Sequence, residues 1–420
     1  MKANIVIIGG GISGVAIAYN LAKKGLKDII VFDDNYMTGG ATGRCGAGVR
    51  QQWGTKGNCI LAKMSVDFFE KAQEELEYHR DIEFKQEGYL IVATTKQEDE
   101  QFTKNVQLQN SIGIPSKKLT IKEALEIVPH LNKNIMVSAT FCPTDGHLNP
   151  FLMTDAYYCA AKKLGVKFYY REKVLDIIVK NKRITKVITE NHIVETNKVV
   201  NAAGGFSYEV GKMADVDIPV FSENHEILVT EPIEKIQGPM VISFSKNIYC
   251  QQVPHGSFIM GRSDPKVLKN HDIGSTHEFL DEMAKTAVHI LPPLGDLRVV
   301  RQWGGSYNLS PDRQPIISDT NQLPGFYMAC GFSGHGFMFA PITGLLLSEL
   351  ILGEKTSVDM TELHLDRFIN QEVKMGCIWS WFTDEGVGSY SIQQTCAFPM
   401  YFTQGLEILP GQKHFILSEG

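Results

Sequence analysis

The chain opens with an apolar run, Ile5–Ile8, that ends at three consecutive glycines. A short apolar run bounded by such a turn signal predicts a buried strand. Apolar residues then recur at helical spacing from residue 14 to 23, and Gly25 is suited to end that helix. A second apolar run at 29–32 predicts another buried strand. The pattern therefore predicts a strand, a glycine turn, a helix and a strand in that order.

The glycines of this turn form Gly-x-Gly-x-x-Gly, the dinucleotide-binding fingerprint. Gly9 permits the tight turn, Gly11 lets the backbone approach a pyrophosphate, and Gly14 lets the helix lie close to the sheet. The helix N-terminus favours the negative charge of the pyrophosphate, and an acidic residue after the second strand accepts the ribose hydroxyls. The contacts predicted for this unit are Gly9, Gly11, Ile12, Ser13, Gly14, Asp33 and Asp34.

Residues 39–53 contain too many glycines for a helix or a strand, so we expect a loop. Two arginines in it can bind phosphate or carboxylate in bidentate fashion, and its glycines let backbone N–H groups approach a ligand. A solvated loop without a ligand is the alternative. The candidate ligand contacts are Thr42, Arg44, Gly48, Val49, Arg50 and Gln51.

Helices and short strands are predicted from there to about residue 215. The predicted helices are 58–80, 97–111, a short one opened by the capping box at Thr120, and 150–165, which Asn149 caps and Pro150 begins. The predicted strands are a pair within 82–95 that bends at Gly88, then 166–170, a meander of 174–180, 183–189 and 192–195, and 198–201.

Strand patterns dominate from about residue 218 to 300, which indicates a second, mostly antiparallel domain with one face available to a ligand. Its predicted elements are strands 226–230, 240–244, 248–252 and 258–261 and a helix 276–290. Strands 315–318 and 325–330 follow, then a glycine-rich turn at 331–341 and a helix 345–352. This second helix N-terminus suits a long cofactor, because reduced flavin carries negative charge on its pyrimidine side.

Composition is that of an ordinary globular protein, with 420 residues, 43% hydrophobic and 21% charged, which suggests two or three domains. A net charge of −6 argues against a nucleic-acid partner. Eight cysteines without Cys-x-x-Cys and twelve histidines without His-x-x-x-His predict no disulfide framework and no metal site, and favour the cytoplasm. No apolar run reaches the length of a membrane span, and the first run is read as a strand and not as a signal sequence.

Several motifs together resemble the D-amino-acid oxidase superfamily of FAD-dependent amine oxidoreductases, and within it the beta subunits of sarcosine oxidase and L-proline dehydrogenase. The resemblance covers roughly residues 3–370. Its motifs are the fingerprint with Asp33, the loop from Gly43 to Gln52, Asp145-Gly146-His147, residues 200–204, Arg301-Gln302-Trp303-Gly304-Gly305, residues 310–317, and Gly331-Phe332-Ser333-Gly334-His335-Gly336.

The resemblance implies an α/β fold, with a Rossmann-type FAD-binding domain and an inserted, mostly antiparallel α+β substrate domain. It implies FAD binding by segments 1–85, 140–215 and 300–365, a substrate domain of 86–139 and 216–299, and a tail of 366–420. It also implies FAD and not NAD: the loop with Arg44 and Arg50 wraps the flavin and pyrophosphate, and Val174 touches the adenine. The other implied FAD contacts are Ala202, Gly204, Gly334, His335, Gly336, Phe337 and Met338.

The departures from relatives narrow this expectation. Residues 304–308 lack the cysteine to which some relatives attach FAD, so we predict non-covalent FAD. Monomeric sarcosine oxidases have a substrate-binding lysine where this chain has Met338. Glycine oxidases have a carboxylate-binding arginine near the position of Tyr307. Both absences favour the beta-subunit group.

The expected reaction removes a hydride from the carbon next to an amine to flavin N5 and leaves an imine that water hydrolyses. The protein must then position the substrate and hold its carboxylate. His225 and Tyr249 are the candidates for substrate binding, by position and by the resemblance, although a lone histidine is more often structural. Arg301 and Arg262 are further candidate cations.

Residues 376–420 are rich in aromatic side chains and poor in charge. They pack on the chain's own surface or dock another subunit, because beta-type relatives work with subunits that carry FMN, iron–sulfur or NAD sites. The leading hypothesis is a catalytic subunit of a dehydrogenase for proline, hydroxyproline, sarcosine or a similar amine. A self-contained oxidase that releases peroxide and an FAD-containing scaffold without turnover are the alternatives.

Overall fold

The computed structural model describes residues 1–264 and 269–368. The aromatic tail 376–420 lies outside these residues. The strands are β1 (Ile5–Ile8), β2 (Ile29–Asp33), β3 (Gly48–Val49), β4 (Tyr89–Ala93), β5 (Lys117–Leu119), β6 (Ser138–Cys142), β7 (Gly146–His147), β8 (Lys167–Tyr170), β9 (Val174–Lys180), β10 (Arg183–Thr189), β11 (Ile193–Glu195), β12 (Val199–Asn201), β13 (Phe221–Thr230), β14 (Met240–Ser243), β15 (Ile248–Gln252), β16 (Phe258–Gly261), β17 (Val299–Leu309), β18 (Ile316–Asp319) and β19 (Phe326–Cys330). The α-helices are α1 (Ile12–Lys23), α2 (Lys56–Phe69), α3 (Ala72–Glu75), α4 (Lys96–Ser111), α5 (Ile121–Ile127), α6 (Pro150–Lys163), α7 (Ser207–Met213), α8 (His277–Ile290) and α9 (Gly336–Leu352).

The first large sheet is built around the opening strand. Its order is β18-β19-β12-β1-β2-β8, and β1 pairs in parallel with both β2 and β12. All four residues of β1 are buried, as expected for a strand covered on both faces. Helices α1 and α9 pack together on this sheet, and a Cβ on Gly344 would lie 2.7 Å from the Ala16 carbonyl oxygen. This arrangement confirms the Rossmann-type α/β fold.

The second large sheet has the order β17-β13-β16-β15-β14-β4-β6-β5. Its pairs are antiparallel except for β14 with β4. Strands β13 and β17 form its longest pairing, which runs from Phe221 with Leu309 to Thr230 with Val299. The predicted meander forms a separate three-stranded sheet, β11-β10-β9, and β3 pairs with β7. No helix of the described residues is long and apolar enough to cross a membrane.

Several predicted elements differ from the structure. The predicted helix 58–80 is divided into α2, which ends at Phe69, and α3, because Lys71 between them leaves helical geometry. Glu77, with a positive φ of 47°, follows the end of α3. Of the predicted strand pair within 82–95, β4 forms, while Gly88 at φ 88° bends the chain before it. Helix α9 begins nine residues before the predicted 345, at Gly336, since its first turns bury apolar side chains in the core.

The long strand β17 was not predicted from its pattern, and β13 begins at Phe221 and not at 226. His225 therefore lies within a strand and not before one. Residues 300–309, predicted with the FAD-binding segments, are hydrogen-bonded into the second sheet, as are 140–142. The first three residues of β17 are exposed, so no apolar pattern marks the start of this strand in the sequence. The strand forms because it pairs with β13. The division into domains itself stays a prediction.

A buried ion pair anchors the end of the described chain. The Arg367 guanidinium donates to both carboxylate oxygens of Asp312, at 2.8 and 3.1 Å. It also donates to the carbonyl oxygens of Gln314 and His364. Both side chains are 8% exposed, so the pair fixes residues 365–368 against the turn that follows β17.

We expect Arg367→Ala to lower the free energy of unfolding by about 3 kcal/mol or more, because it leaves the Asp312 carboxylate buried without its cation. Denaturant unfolding measures this. Lys285→Ala is the control, because Lys285 pairs with Asp281 at side-chain exposures of 68% and 65%, and we expect its loss to change stability far less than Arg367→Ala does. Equal losses in the two variants would contradict the anchoring role.

Candidate functional site

A cavity of about 910 Å³ lies between the two large sheets and is lined by residues of both. Its floor is formed where β1, β2 and β12 end and their loops begin, at residues such as Gly9, Asp33 and Ala202. Its opposite wall comes from β13, β14, β15 and β17. The ends of parallel strands at a change of strand order are the usual place for a ligand in an open α/β sheet.

The glycine turn is packed as the fingerprint requires. A Cβ on Gly9 would lie 2.2 Å from the Ala202 carbonyl oxygen, and one on Gly14 would lie 1.9 Å from the Gly9 carbonyl oxygen. Gly11 faces the cavity, and Thr42 Oγ1, 3.1 Å from such a Cβ, accepts a hydrogen bond from the Ile12 amide at 3.2 Å. The backbone is therefore packed too closely at Gly9 and Gly14 for any side chain, whereas Gly11 and the start of α1 border the cavity.

Asp33 performs a task that the sequence did not indicate. Its Oδ2 accepts from the Gly10 amide at 2.7 Å and its Oδ1 from the Asn35 amide at 2.8 Å. Burial raises the pKa of its carboxyl group, although these two hydrogen bonds oppose the change. The carboxylate thus orders the glycine turn while it lines the cavity beside Asp34.

Most of the predicted site residues line the cavity, and four do not. Gly14, Val49, Gln51 and Arg301 are the exceptions. Gly48 and Arg50 face the cavity, whereas Val49 and Gln51 alternate away from it because the chain is extended there. Those that line it are Gly9, Gly11, Ile12, Ser13, Asp33, Asp34, Thr42, Arg44, Gly48, Arg50, Val174, Ala202, Gly204, His225, Tyr249, Arg262, Gly334, His335, Gly336, Phe337 and Met338.

The loop with Arg44 is tied to β17. The Arg44 guanidinium donates to the Gly304 carbonyl oxygen at 3.2 Å, and the Trp303 indole donates back to the Arg44 carbonyl oxygen at 3.0 Å. These reciprocal bonds join the loop of the first sheet to a strand of the second. They hold the two walls of the cavity together.

His225 and Tyr249 lie on the wall formed by the second sheet. The His225 ring stacks on Tyr307, with ring centroids 3.6 Å apart and planes 9° apart. Burial, with a smaller contribution from Arg313, lowers the pKa of His225 to about 3, so the imidazole is neutral at physiological pH. Burial also raises the pKa of Tyr249 far above its usual range and that of Tyr307 to about 12. This wall therefore offers neutral hydrogen-bonding groups.

Arg50 is the buried cation of the cavity, at 4% exposure. Its guanidinium carbon lies 4.2 Å from the Trp53 ring centroid and 5.7 Å from that of Phe244, the residue after β14. The Trp53 and His335 rings pack edge to face, with their centroids 4.6 Å apart. Burial, and then the charge of Arg50, lower the pKa of His335 to about 3, so His335 is neutral too.

The other candidate arginines are placed differently. Arg262 lines the cavity but donates to Glu282 at 3.0 Å. Arg301 is exposed near the start of β17, where it pairs with Val229 of β13, and lies outside the cavity. Arg301 as a substrate-binding cation is therefore disfavoured by its position.

The sequence missed several residues of the cavity wall. They lie on or beside strands that pair with partners distant in the sequence, and each has an apolar or neutral side chain. Such residues form no recognisable motif, so the sequence could not assign them to the cavity. They include Tyr89, Met240, Ile242, Phe244, Ser306, Tyr307 and Asn308.

The donor set of the cavity fits FAD. One end presents the start of α1 and the open cradle at Gly11, beside the acids Asp33 and Asp34 at the end of β2. A second helix N-terminus, that of α9, borders the same cavity at Gly336. Two sets of helix-terminal amides bordering one cavity suit a ligand with a pyrophosphate and a second electron-rich end. Among the described residues, no group of acidic, histidine or cysteine side chains could hold a metal ion.

The chain resembles known proteins along most of its length. A solved structure of L-proline dehydrogenase from P. horikoshii is 37% identical, with a TM-score of 0.84 over 88% of this chain and 98% of the other. The sarcosine oxidase subunit beta of Arthrobacter is 27% identical over 87% of this chain and 91% of its own length. Human dimethylglycine dehydrogenase is also 27% identical over 87% of this chain.

Length separates these relatives. This chain spans 44% of the length of the human dimethylglycine dehydrogenase. A family model described as FAD dependent oxidoreductase, DAO, matches residues 4–350. The match takes in both sheets and the cavity between them. The chain therefore belongs to the DAO family of FAD-dependent oxidoreductases.

Proposed function

We propose that this chain dehydrogenates a small amino acid at the carbon next to its amine, with proline, hydroxyproline and sarcosine as the leading substrates. The observation that carries the proposal is a cavity wall with neutral His225 and tyrosines around the buried cation Arg50. Such a wall suits one carboxylate and an uncharged amine. The similarity to L-proline dehydrogenase and to sarcosine oxidase subunit beta supports the same substrate class.

The substrate carboxylate is bound by Arg50 in this proposal, and not by Arg262 or Arg301. Arg50 is 4% exposed and lines the cavity, whereas Arg301 is exposed and lies outside it. Arg50 lies against the faces of Trp53 and Phe244, and a stacked guanidinium can still form the paired hydrogen bonds that a carboxylate accepts. This differs from the predicted role of Arg50 at the flavin and pyrophosphate, because Phe244 belongs to the second sheet.

His225 and Tyr249 orient the substrate as neutral hydrogen-bonding groups. FAD, when bound, supplies the hydride acceptor, and the remaining requirements fall on the chain's own side chains. The low pKa of His225 keeps its imidazole uncharged. Because Arg50 is positively charged, this wall favours substrate whose amine has lost its proton.

We propose that electrons leave through other subunits with FMN, iron–sulfur or NAD sites, which makes this chain the beta-type member of a hetero-oligomer. The resemblance to a protein named as a beta subunit supports this. The six cysteines of the described residues are free thiols, which supports the cytoplasm as the compartment. Non-covalent attachment of FAD and the partner identity stay predictions.

Anaerobic addition of amino acids to the purified FAD-containing chain tests this function. We expect proline, hydroxyproline or sarcosine to bleach the oxidised flavin band, because each offers a carboxylate and a secondary amine. Slow return of colour in air indicates a dehydrogenase, and fast return with peroxide indicates the oxidase. A fully loaded flavin that no amine reduces, with or without co-purifying subunits, would favour the scaffold.

Replacing the two cavity arginines separately tests the carboxylate site. We expect Arg50→Lys to raise KM about tenfold, since losing one bidentate contact costs about 1.4 kcal/mol. Arg262→Lys is the matched control and should change KM less than threefold. The reverse order of effects would assign the carboxylate to Arg262.

The pH dependence at saturating substrate tests the neutral wall. Because the pKa values of His225 and His335 are both lowered to about 3, each is uncharged throughout the range from pH 5 to 9. We expect no inflection near pH 6.5 in the limiting rate constant for flavin reduction. An inflection there that His225→Gln abolishes would mean that the imidazole titrates normally.

A further inference from the structure

The motif Asp145-Gly146-His147 is not explained by the cavity, because none of these residues lines it. Asp145 is nonetheless fully buried, at 0% exposure. It lies in the turn between β6 and β7, directly behind the chain that carries Arg50. A buried carboxylate in a core position needs a reason, since burial disfavours its charged form.

The Asp145 carboxylate binds the two glutamines that follow Arg50. Its Oδ1 accepts from the Gln51 backbone amide at 2.7 Å, and its Oδ2 accepts from the Gln52 side chain at 3.0 Å. Gln52 also donates to the Tyr89 carbonyl oxygen at 2.9 Å and accepts from the Thr140 hydroxyl at 2.7 Å. The carboxylate is thus the centre of a buried network that joins this loop to β4 and β6.

These contacts hold the N–H of the peptide that follows Arg50, and Trp53 holds the carbonyl oxygen of the same peptide. The Trp53 indole donates to the Arg50 carbonyl oxygen at 3.0 Å, and the Trp53 ring carries the Arg50 guanidinium at 4.2 Å. Gln109 in turn donates to the Trp53 carbonyl oxygen at 2.8 Å. The peptide between Arg50 and Gln51 is therefore held at both its carbonyl and its N–H.

We propose that Asp145 is a positioning residue: by accepting the Gln51 amide and the Gln52 side chain, it holds Arg50 where the guanidinium binds the substrate carboxylate. This inference rests on the proposed function of Arg50. Asp145 touches neither cavity nor substrate and acts through the loop alone.

The charge state of Asp145 gives the mechanism a pH dependence. Burial raises its pKa to about 6, while hydrogen bonds from Gln52 and Gln51 and the charge of Arg50 work in the opposite direction. The titratable groups that face it are Arg50, Cys59 on α2, Tyr89 on β4 and Cys142 on β6. Burial raises the pKa values of both thiols and the phenol, so none of them ionises between pH 5 and 8.

Protonation weakens an acceptor at which several N–H donors converge. Below about pH 6 we therefore expect the loop to loosen and carboxylate affinity to fall. His335, which faces Arg50, is neutral over this range and does not mask the effect, because its pKa is lowered to about 3.

The test is Asp145→Asn in the full FAD-containing chain, with two readouts. Calorimetry measures binding of cyclopentanecarboxylate, a carboxylate without an amine, and anaerobic flavin reduction measures KM and the limiting rate constant. We expect Kd and KM to rise about tenfold at pH 7.5 while the limiting rate constant changes less than twofold. After correction for protonation of the ligand's own carboxylate, the parent chain should lose affinity between pH 7 and 5, whereas the variant should bind weakly and equally at both.

Asp312→Asn is the matched control, because Asp312 is also a buried carboxylate that accepts a backbone amide, from Gln314 at 3.0 Å, but outside the cavity. It should lower stability and leave Kd and its pH dependence unchanged. Thr140→Val provides a milder change should Asp145→Asn not fold, since it removes the hydroxyl that orients Gln52. We expect it to raise Kd twofold to threefold.

These variants distinguish a failure of the Asp145 positioning role from a failure of the proposed function. If Arg50→Lys weakens binding and Asp145→Asn and Thr140→Val do not, the positioning role is wrong and the carboxylate site stands. If Asp312→Asn weakens binding as much as Asp145→Asn, general loosening explains the result and the positioning role is wrong. If the parent chain neither binds cyclopentanecarboxylate nor is reduced by any amino acid, the proposed function fails and the inference fails with it.

Discussion

The close approach of the Gly9 backbone to Ala202 is the constraint on which the cavity depends. A side chain at position 9 would place its Cβ 2.2 Å from the Ala202 carbonyl oxygen, and φ is 108° there, a value that L side chains rarely adopt. This contact lets β1 and β12 end at the same level, so α1 starts directly above both. The position of the cavity at this edge of the sheet therefore depends on glycine at position 9.

The pairing of β13 with β17 brings the second wall to that edge. In this register His225 lies opposite Gly305, and Tyr307 lies opposite Glu223. The same strand β17 receives the Arg44 side chain and returns the Trp303 indole. Gly334, at φ 89°, leaves room for the Tyr307 ring, which a Cβ there would approach to 2.4 Å. The wall that carries His225 and Tyr307 and the loop that carries Arg44 thus meet on the same strand, β17.

Local signals predicted the parts of the fold that depend on neighbours in sequence. The β1–α1–β2 unit, the capping box at Thr120 and the Asn149 cap all appear in the structure. What the sequence could not provide depends on partners distant in the chain. Strand β17 is defined by pairing with β13, and Tyr89, Phe244 and Tyr307 reach the cavity only through sheet order. Arg301 was chosen for its charge, but the exposed start of β17 directs it away from the cavity.

The electrostatics of the cavity follow from burial. His225, His335 and the tyrosines are all neutral because the protein removes water from them, whereas Arg50 keeps its positive charge. A carboxylate placed beside Arg50 on the cavity side would compete with the substrate carboxylate that we propose it binds. Asp145 lies instead behind the loop, close enough to lower the cost of burying Arg50 but separated from the ligand by the peptide that it binds. The carboxylate that stabilises the arginine and the substrate carboxylate that we propose it binds are thereby kept on opposite sides of one backbone segment.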